Sequence, residues 1–277
     1  MGEPGAAMAV TDDEGFVPVK SADRVMAILE LLSTRHRRCS LSEISQELNI
    51  PLSSLHGLLR TMQRRMWLEV DETNTRFGIG VQALLVGSSY PRGDDLVARA
   101  DPVLDWLSEQ TGETVHYGRL EGQYIVYLAK RESKYQLRIH TAVGKRIPAH
   151  AASLGKAILA ACDESYVNGL FSWPLEKLTK HTLTGRQEFY ADLERTRKRG
   201  YAAELEESDV GLGCVAVTAP GHTPLHDAVS VTAPTARLSS KRLKELAGLL
   251  LRAQEMLVGR TAPPVIPAAD DFLRHLD

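Results

Sequence analysis

The sequence predicts an α+β protein whose N-terminal part is helical and whose C-terminal part mixes strands with helices. Between residues 20 and 65, apolar residues recur every three or four positions, which is the spacing of amphipathic helices. From Thr114 onwards, short runs of apolar residues separated by turns are typical of strands. Pro91-Arg92-Gly93 lies between the two patterns, and we place the domain junction there.

Composition places the chain among ordinary soluble proteins. Its 277 residues are 43% hydrophobic and 25% charged, with a net charge of -2, so any affinity for nucleic acid must come from local basic clusters. No apolar run approaches the roughly 18 residues of a membrane span, and no signal peptide opens the chain. The three cysteines form no CxxC pair. We therefore expect a cytoplasmic protein with no disulfide, metal site or membrane partner.

Residues 40–65 predict two short helices joined by a tight turn. Ser40 and Glu43 have the spacing of a capping box at the start of the first helix. Pro51 ends that helix and suits the first turn of the next one. The second helix has an apolar stripe formed by Leu55, Leu58, Leu59 and Met62. This is the arrangement of a helix-turn-helix, whose second helix enters the major groove of DNA.

A β-hairpin is predicted directly after the helix pair. Leu68 and Val70 alternate with polar neighbours, as do Phe77 and Ile79, and a turn-rich segment separates the two runs. A hairpin in this position is a wing. Arg76 is expected near its tip, within reach of the DNA backbone or the minor groove.

The candidate DNA-binding residues are polar or basic and lie in or beside these elements. The basic loop at residues 35–38 either contacts phosphates or is simply solvated. Ser53 and Ser54 either touch base edges or cap the helix. The full set is Arg37, Arg38, Ser42, Ser53, Ser54, His56, Arg60, Arg64, Arg65 and Arg76.

The linker helix is assigned to residues 81–100, between a DNA-binding domain at 19–80 and a second domain at 101–259. Two helical stretches are predicted around it, one at residues 80–90 and, after Pro91-Arg92-Gly93, a second one from about Asp94. Its apolar stripe leaves two alternatives open, packing against a second copy of the chain or packing on its own domain. Pro102 is expected to bend or restart this helical stretch. The segments 1–18 and 260–277 lack periodicity and are expected to be disordered or flexible tails.

The second domain is predicted to contain six strands and four helical segments, with Gly200 ending the third helix. The expected strands are 114–119, 125–129, 136–141, 201–205, 214–219 and 228–231. The expected helices are 153–161, 165–177, 186–199 and 239–258.

Taken together, these segments resemble the IclR family of transcriptional regulators over about residues 19–258. The matching motifs are "VKSADRVMAILELL", "LSEISQELNIPLSSLHGLLRTM", Gly80, "TGETVHYGRLEG", "GKRIPAHAASLGKAILA", "RKRGYAAELEES", "GLGCVAV" and "AVSVTAP". The resemblance implies a winged helix-turn-helix, a linker helix and a GAF-like (profilin-like) effector domain with a mixed sheet. It also implies a homodimer or dimer of dimers that binds double-stranded palindromic operator DNA and is controlled by a small molecule. No cofactor is expected.

Two positions depart from the family pattern. Gly57 stands where the family usually has arginine, and Thr75 stands where the wing turn usually has glycine. Asn74 can take the left-handed conformation that such a turn needs. These departures bear on which operator is recognised and leave the DNA-binding role intact.

The resemblance also implies an effector pocket, lined by Ser153, Leu154, Glu204, Leu212, Cys214, Ser230 and Thr232. Small residues open the helix at 153–161, whose free N–H groups and positive dipole end suit the carboxylate of a small organic acid. Glu204 needs a partner if it is buried, and the alternative is an exposed strand charge. Lys156 is either a ligand clamp or points away. Leu154, Leu212 and Cys214 have ordinary core packing as their alternative.

Other classes of function find little support in the sequence. Gly211-Leu212-Gly213 lacks the third glycine of a dinucleotide loop, and no GxSxG motif is present. His116, His140 and His150 stand apart without an HExxH motif. We therefore expect no enzyme. A redox-sensing regulator using Cys214 or Cys162 is the alternative, and it requires an exposed thiol with a lowered pKa.

Overall fold

The computed structural model describes residues 17–35, 37–137, 139, 141–221 and 226–259. The described chain divides between Gly93 and Asp94 into two compact units. Most of the predicted N-terminal tail (1–16), the whole predicted C-terminal tail (260–277), His36 and His140 lie outside the described residues. In the described part of the chain, no helix has the length and apolar character needed to cross a bilayer.

The first unit contains the predicted helix-turn-helix and wing. Its helices are α1 (Lys20–Arg35), α2 (Leu41–Leu48), α3 (Leu52–Arg64) and α4 (Val81–Gly87). Its strands are β1 (Cys39–Ser40), β2 (Leu68–Val70) and β3 (Arg76–Ile79), which form an antiparallel sheet in the order β1-β3-β2. The core is formed by apolar side chains that include Ile28, Leu32, Ile44, Leu55, Leu59, Met62 and Leu68.

Local contacts explain where these elements begin and turn. The Ser40 hydroxyl accepts the backbone N–H of Glu43, and the Glu43 carboxylate accepts that of Ser40, so the predicted capping box is present. Asp71 accepts the backbone N–H groups of Thr75 and Arg76 and holds the wing turn. Asn74 in that turn has φ +53°, the left-handed conformation expected for it.

Residues 81–100, assigned as the linker helix, form parts of two helices on either side of Pro91-Arg92-Gly93, as their two apolar stretches predicted. α4 ends at Gly87, and α5 (Asp95–Thr111) begins after Asp94, whose carboxylate accepts the N–H groups of Leu96 and Val97. The helix continues through Pro102. Apolar residues of α5 are buried within the second unit, so for this helix packing on its own domain is the correct alternative. These residues are Val97, Ala100, Val103, Leu104 and Leu107.

The second unit is built on one six-stranded sheet. Its strands are β4 (Thr114–Glu121), β5 (Tyr124–Arg131), β6 (Arg146–Pro148), β7 (Ala202–Leu205), β8 (Leu212–Ala219) and β9 (Asp227–Pro234). Its further helices are α6 (Ser153–Ala161), α7 (Glu164–Leu170), α8 (Arg186–Arg199) and α9 (Ser240–Leu257). The strand order is β6-β5-β4-β9-β8-β7. Every described pair is antiparallel, and short connections such as β4–β5 and β7–β8 join antiparallel neighbours, so the unit is the mixed α+β domain that the sequence predicted.

The two faces of this sheet carry different side chains. Val115, Val215 and Val231 lie on the face that packs against α5 and α9. Ala202, Ala216 and Ala228 alternate with them and face α6 and α8. The small alanines allow α6 to approach the sheet closely. The polar residues predicted for the effector pocket alternate in the same way and share the α6 face.

Two predicted elements differ from the structure. The described residues of the expected strand at 136–141 form no strand, and β6 instead pairs with β5 from Arg146 onward. The helix expected to reach residue 177 ends at Leu170. Phe171 turns into the core against Phe189, and Pro174 has no N–H to continue a helix.

A buried ionic cluster joins the start of α5 to the sheet. The Arg119 guanidinium donates to Asp94 Oδ2 at 2.6 Å and to the two carboxylate oxygens of Asp227 at 2.6 and 2.7 Å. The Tyr117 hydroxyl donates to the same Asp227 carboxylate at 2.7 Å. The first residue of the second unit is thereby fixed to β4 and β9.

Candidate DNA-binding surface and ligand pocket

The exposed side of α3 carries most of the predicted DNA-binding residues. Ser53, His56, Arg60 and Arg64 follow one another at intervals of three or four, so they share one face. The opposite face holds Leu55, Leu59 and Met62 in the core. None of the side chains of Ser53, Ser54, His56, Arg60, Arg64 and Arg65 makes a hydrogen bond or ion pair to another described residue. This face can therefore meet a polyanion without breaking an existing contact.

The basic residues outside α3 are already paired. Glu43 forms ion pairs with Arg37 at 2.9 Å and with Arg76 at 3.4 Å, and Arg38 lies 3.8 Å from Glu69. Hydrogen bonds from Ser40 and Arg37 hold the pKa of Glu43 at about 2, so Glu43 is ionised at neutral pH. Arg76 begins β3 directly after the wing turn, where its backbone pairs with Asp71, and its side chain reaches Glu43 on α2. A neighbouring carboxylate therefore partly neutralises the positive charge of each of these three arginines.

Helix capping does not explain Ser53 and Ser54. The N-cap residue of α3 is Pro51, which provides no side-chain cap, and both serines are exposed in the first turn. Ser42 is likewise exposed on α2. Their hydroxyls face solvent, where they are available to phosphate or base edges.

Gly57 interrupts the exposed face of α3. A Cβ built at this position would meet no atom within 4 Å, so alanine fits there without a clash. We expect Gly57→Ala to raise the free energy of unfolding of the first domain by about 1 kcal/mol, because glycine lowers helix propensity by that amount. Chemical denaturation of both proteins measures the difference. Gly122→Ala is the contrasting control, because Gly122 has φ +57° and the substitution there should destabilise.

In the second domain, the predicted pocket residues lie on the side of the sheet that faces α6. Cross-strand register pairs Glu204 with Cys214 and Cys214 with Thr232, so these three side chains form one row across β7, β8 and β9. Leu212 and Ser230 lie two residues along their strands on the same face. Ser153 and Leu154 begin α6, and Ser153 lies beside the Cys214 thiol. The structure brings all seven predicted residues together.

The predicted pocket residues differ in their exposure to solvent. Ser153, Leu154, Glu204, Ser230 and Thr232 are buried. Leu212 and Cys214 are only half-buried, although β8 lies between two other strands. Cys214 also contacts Thr232, with 2.9 Å between Sγ and Oγ1.

Glu204 is buried and partnered. Its carboxylate accepts the backbone N–H of Glu207 at 2.9 Å and the Ser208 hydroxyl at 3.3 Å, so it holds the loop after β7. The alternative of an exposed strand charge is wrong. Burial raises the pKa of Glu204 to about 7, because the effect of desolvation on the pKa is larger than the opposite effect of the hydrogen bond from Glu207. Near neutral pH this carboxyl group therefore carries a proton part of the time and can donate it to an anion.

Lys156 points away from this row of side chains. It is fully buried, and its Nζ lies 2.5 and 2.6 Å from the carboxylate oxygens of Glu207 and 3.0 Å from Asp192. A lysine that already meets two carboxylates is a structural tie between α6, α8 and the loop after β7. Its role as a ligand clamp is not supported.

The cysteines do not have the properties of redox sensors. Burial raises the pKa of Cys162, and burial together with Glu204 raises the pKa of Cys214 well above its usual range. A sensing thiol needs a lowered pKa, because the thiolate is the form that reacts with oxidants. The redox alternative therefore loses its chemical basis.

Sequence reasoning missed three residues beside the pocket. Thr114 and His116 on β4 lie directly opposite Thr232 and Ser230, and Tyr127 on β5 stacks on the His116 ring with 4.3 Å between ring centroids. All three are buried. Their signal in the sequence is the alternation of Thr114 and His116, which are polar residues on one face of an otherwise apolar strand.

Comparison with known proteins covers both units. Residues 21–72 match the family described as the IclR helix-turn-helix domain, and residues 89–257 match "Bacterial transcriptional regulator IclR C-terminal". The chain is 33% identical over 253 residues to the HTH-type transcriptional regulator BhcR of Paracoccus denitrificans, covering 88% of each chain. It is 30% identical to the regulator XynR of Escherichia coli, covering 85% of this chain and 94% of that one. These relatives are transcriptional regulators and not enzymes.

Solved structures share the fold. An IclR-type regulator from Alicyclobacillus acidocaldarius aligns with a TM-score of 0.77 at 23% identity, covering 88% of this chain and 99% of that one. An IclR homologue from Microbacterium hydrocarbonoxydans, solved as a complex with 4-hydroxybenzoate, aligns with a TM-score of 0.71 at 19% identity, covering 86% and 99%.

Proposed function

Because the chain belongs to the IclR family of bacterial transcriptional regulators, we propose that it binds a palindromic operator as a homodimer or dimer of dimers and responds to a small organic acid. The observation that carries the DNA-binding part is the α3 face, where Arg60 and Arg64 have no carboxylate partner among the described residues. Cations of this kind release counterions from phosphates on binding, and their affinity depends on salt.

The dimer is supported by α4. Its side chains Val81, Leu84 and Leu85 are 47%, 70% and 57% exposed and lie on one stripe of the helix. An apolar stripe of this kind is covered most simply by the same stripe of a second copy. Two copies present two α3 helices, which matches the two half-sites of a palindrome.

The experiment uses an operator selected from random double-stranded DNA by the purified full-length protein. We expect His56→Ala to weaken binding to the selected operator by about 1–3 kcal/mol more than binding to a scrambled duplex, as for a base-reading residue. Fluorescence anisotropy at fixed salt measures both affinities. An equal loss on the two duplexes would mean that His56 reads no base.

A second comparison tests the dimer. The selected operator and a duplex carrying one half-site are titrated under the same conditions. Tighter binding to the full palindrome, with two chains per duplex, is the expected result. One chain per duplex at all concentrations would contradict a dimeric regulator.

The acidic nature of the effector is supported by the free N-terminus of α6 beside Ser153 and by the protonation of Glu204. The structural neighbour that holds 4-hydroxybenzoate gives a first probe of that class.

We expect an organic acid to bind more tightly at pH 6 than at pH 8. Glu204 has a pKa of about 7, so a fall in pH neutralises it and removes its repulsion of the ligand carboxylate. The largest expected gain in affinity is about tenfold, because the protonated fraction of Glu204 rises by about that factor between pH 8 and pH 6. Titration calorimetry at the two pH values measures it, and Glu204→Gln should remove the difference. His116 does not contribute, because burial holds its pKa at about 3.

A further inference from the structure

Two buried polar atoms on β4 have no partner. Thr114 Oγ1 and His116 Nδ1 make no hydrogen bond, although both side chains are 1% exposed. The Tyr127 hydroxyl, on a side chain 7% exposed, makes none within the described residues either. Folded proteins pair nearly all such groups with protein or water. Two unpaired buried atoms on one strand, beside a tyrosine hydroxyl that has no protein partner among the described residues, therefore indicate a place where something else binds.

Thr114 and His116 lie on the sheet face that carries the predicted effector-pocket residues. Thr114 and His116 are two residues apart, so both point to the same face of β4. Register pairs Thr114 with Thr232 and His116 with Ser230, and Thr232 pairs in turn with Cys214. The row that begins at Glu204 thus continues over one more strand and ends at Thr114.

The imidazole of His116 is held in place and uncharged. Its Nε2 lies 2.7 Å from Thr141 Oγ1, and its ring stacks on Tyr127 with an interplanar angle of 17°. Burial, and then the charges of Lys130 and Lys145, lower the pKa of His116 to about 3. A neutral imidazole with one nitrogen occupied offers the other as a single donor or acceptor. It suits a neutral polar group of a ligand.

The spacing of the strands sets the distance between the two ends of the pocket. Neighbouring strands lie about 4.8 Å apart, so Thr114 and His116 are roughly 5–10 Å from the Cys214 and Ser153 end. The start of α6 at that end offers backbone N–H groups to a carboxylate. A ligand that satisfies both ends carries two polar groups at this separation.

We propose that Thr114, His116 and Tyr127 form a second half of the effector pocket and select an organic acid that bears a hydroxyl or oxo group roughly 5–10 Å from its carboxylate. This inference rests on the proposed control by an organic acid. A simple acid of the same size leaves the three polar groups unmet, and discrimination against it follows from their desolvation.

The test compares matched acids on the full-length protein. The probes are 4-hydroxybenzoate with benzoate and 4-hydroxybutyrate with butyrate, measured by titration calorimetry. We expect the wild-type protein to bind at least one hydroxylated acid about tenfold more tightly than its partner, which corresponds to about 1.4 kcal/mol. Thr114→Val and Tyr127→Phe should reduce this preference towards one, because the hydroxylated acid loses a hydrogen bond and the simple acid no longer leaves a desolvated polar group unpaired.

Controls separate recognition from structural damage. Thr114→Val removes an unpaired hydroxyl, so the ligand-free variant should unfold at the same temperature as the wild type or at a higher one. Loss of a hydroxyl with a structural role would lower the unfolding temperature. Tyr124→Phe removes a hydroxyl from β5, the strand that carries Tyr127, at a position outside the row of pocket residues. This variant should keep the preference for the hydroxylated acid. Simple and hydroxylated acids that bind equally well, or a preference retained in both variants, would overturn the inference and leave control by an acid standing. Failure of all four acids to bind would overturn both.

Discussion

Lys156→Met should lower the free energy of unfolding of the second domain by about 3–5 kcal/mol at neutral pH. The lysine is fully buried and meets the carboxylates of Glu207 and Asp192. Methionine fills a similar volume, so the loss comes mainly from two buried carboxylates left without their cation. Chemical denaturation followed by circular dichroism measures the change.

The same variant has a distinctive dependence on pH. Burial already raises the pKa of Glu207, and removal of Lys156 raises it further, because the lysine favours the charged form. A carboxylate with a raised pKa binds its proton more readily in the folded state, so the deficit should shrink as the pH falls from 7.5 to 5.5. Lys198→Ala, an exposed change on α8, should cost less than about 0.5 kcal/mol. A deficit below about 1 kcal/mol for Lys156→Met would show that the ion pairs contribute little.

The double variant Arg60→Ala, Arg64→Ala should weaken DNA binding in a way that depends on salt. Each lost phosphate contact lowers the slope of log affinity against log salt by about 0.9, so a dimer that loses four contacts changes by about 3.6. When salt rises from 50 to 200 mM, the ratio of the wild-type affinity to the variant affinity then falls by a factor on the order of a hundred. Binding isotherms across this range, on the selected operator and on scrambled DNA, give the slope.

Paired arginines provide the comparison. Arg37 has Glu43 as a partner at 2.9 Å, so its removal also frees a carboxylate near the DNA and gives a smaller change in slope than an unpaired arginine. Lys241→Ala, on the exposed side of α9, should leave the slope unchanged. An unchanged slope in the double variant would place the phosphate contacts somewhere other than α3.

Local patterns predicted the first domain well because its contacts are close in sequence. The capping box of Ser40 and Glu43, the stripe of Leu55, Leu59 and Met62, and the turn at Asn74 each depend on neighbours a few residues away. The buried ties of the second domain join distant segments. Lys156 meets Glu207, which lies 51 residues later, and Arg119 meets Asp227, which lies 108 residues later. No short pattern identifies such partners.

The pocket shows the same division between local and distant information. Resemblance to a family supplied Ser153, Glu204 and Cys214, and the strands place them on one face. Thr114 and His116 belong to the strand next to that set, and only the register between β4 and β9 shows that they extend it. The break between α4 and α5 was predicted from Pro91-Arg92-Gly93, and the stretches on both sides of it are helical, as expected.

The Arg119 cluster makes Asp94 a fixed point on the chain. Asp94 caps α5 and is tied through Arg119 to Asp227, and so to β4 and β9. Those two strands also carry Thr114, His116, Ser230 and Thr232. The strands that carry the proposed pocket residues therefore also hold the residue at which the second unit begins. Seven residues, 88–94, separate α4 from α5.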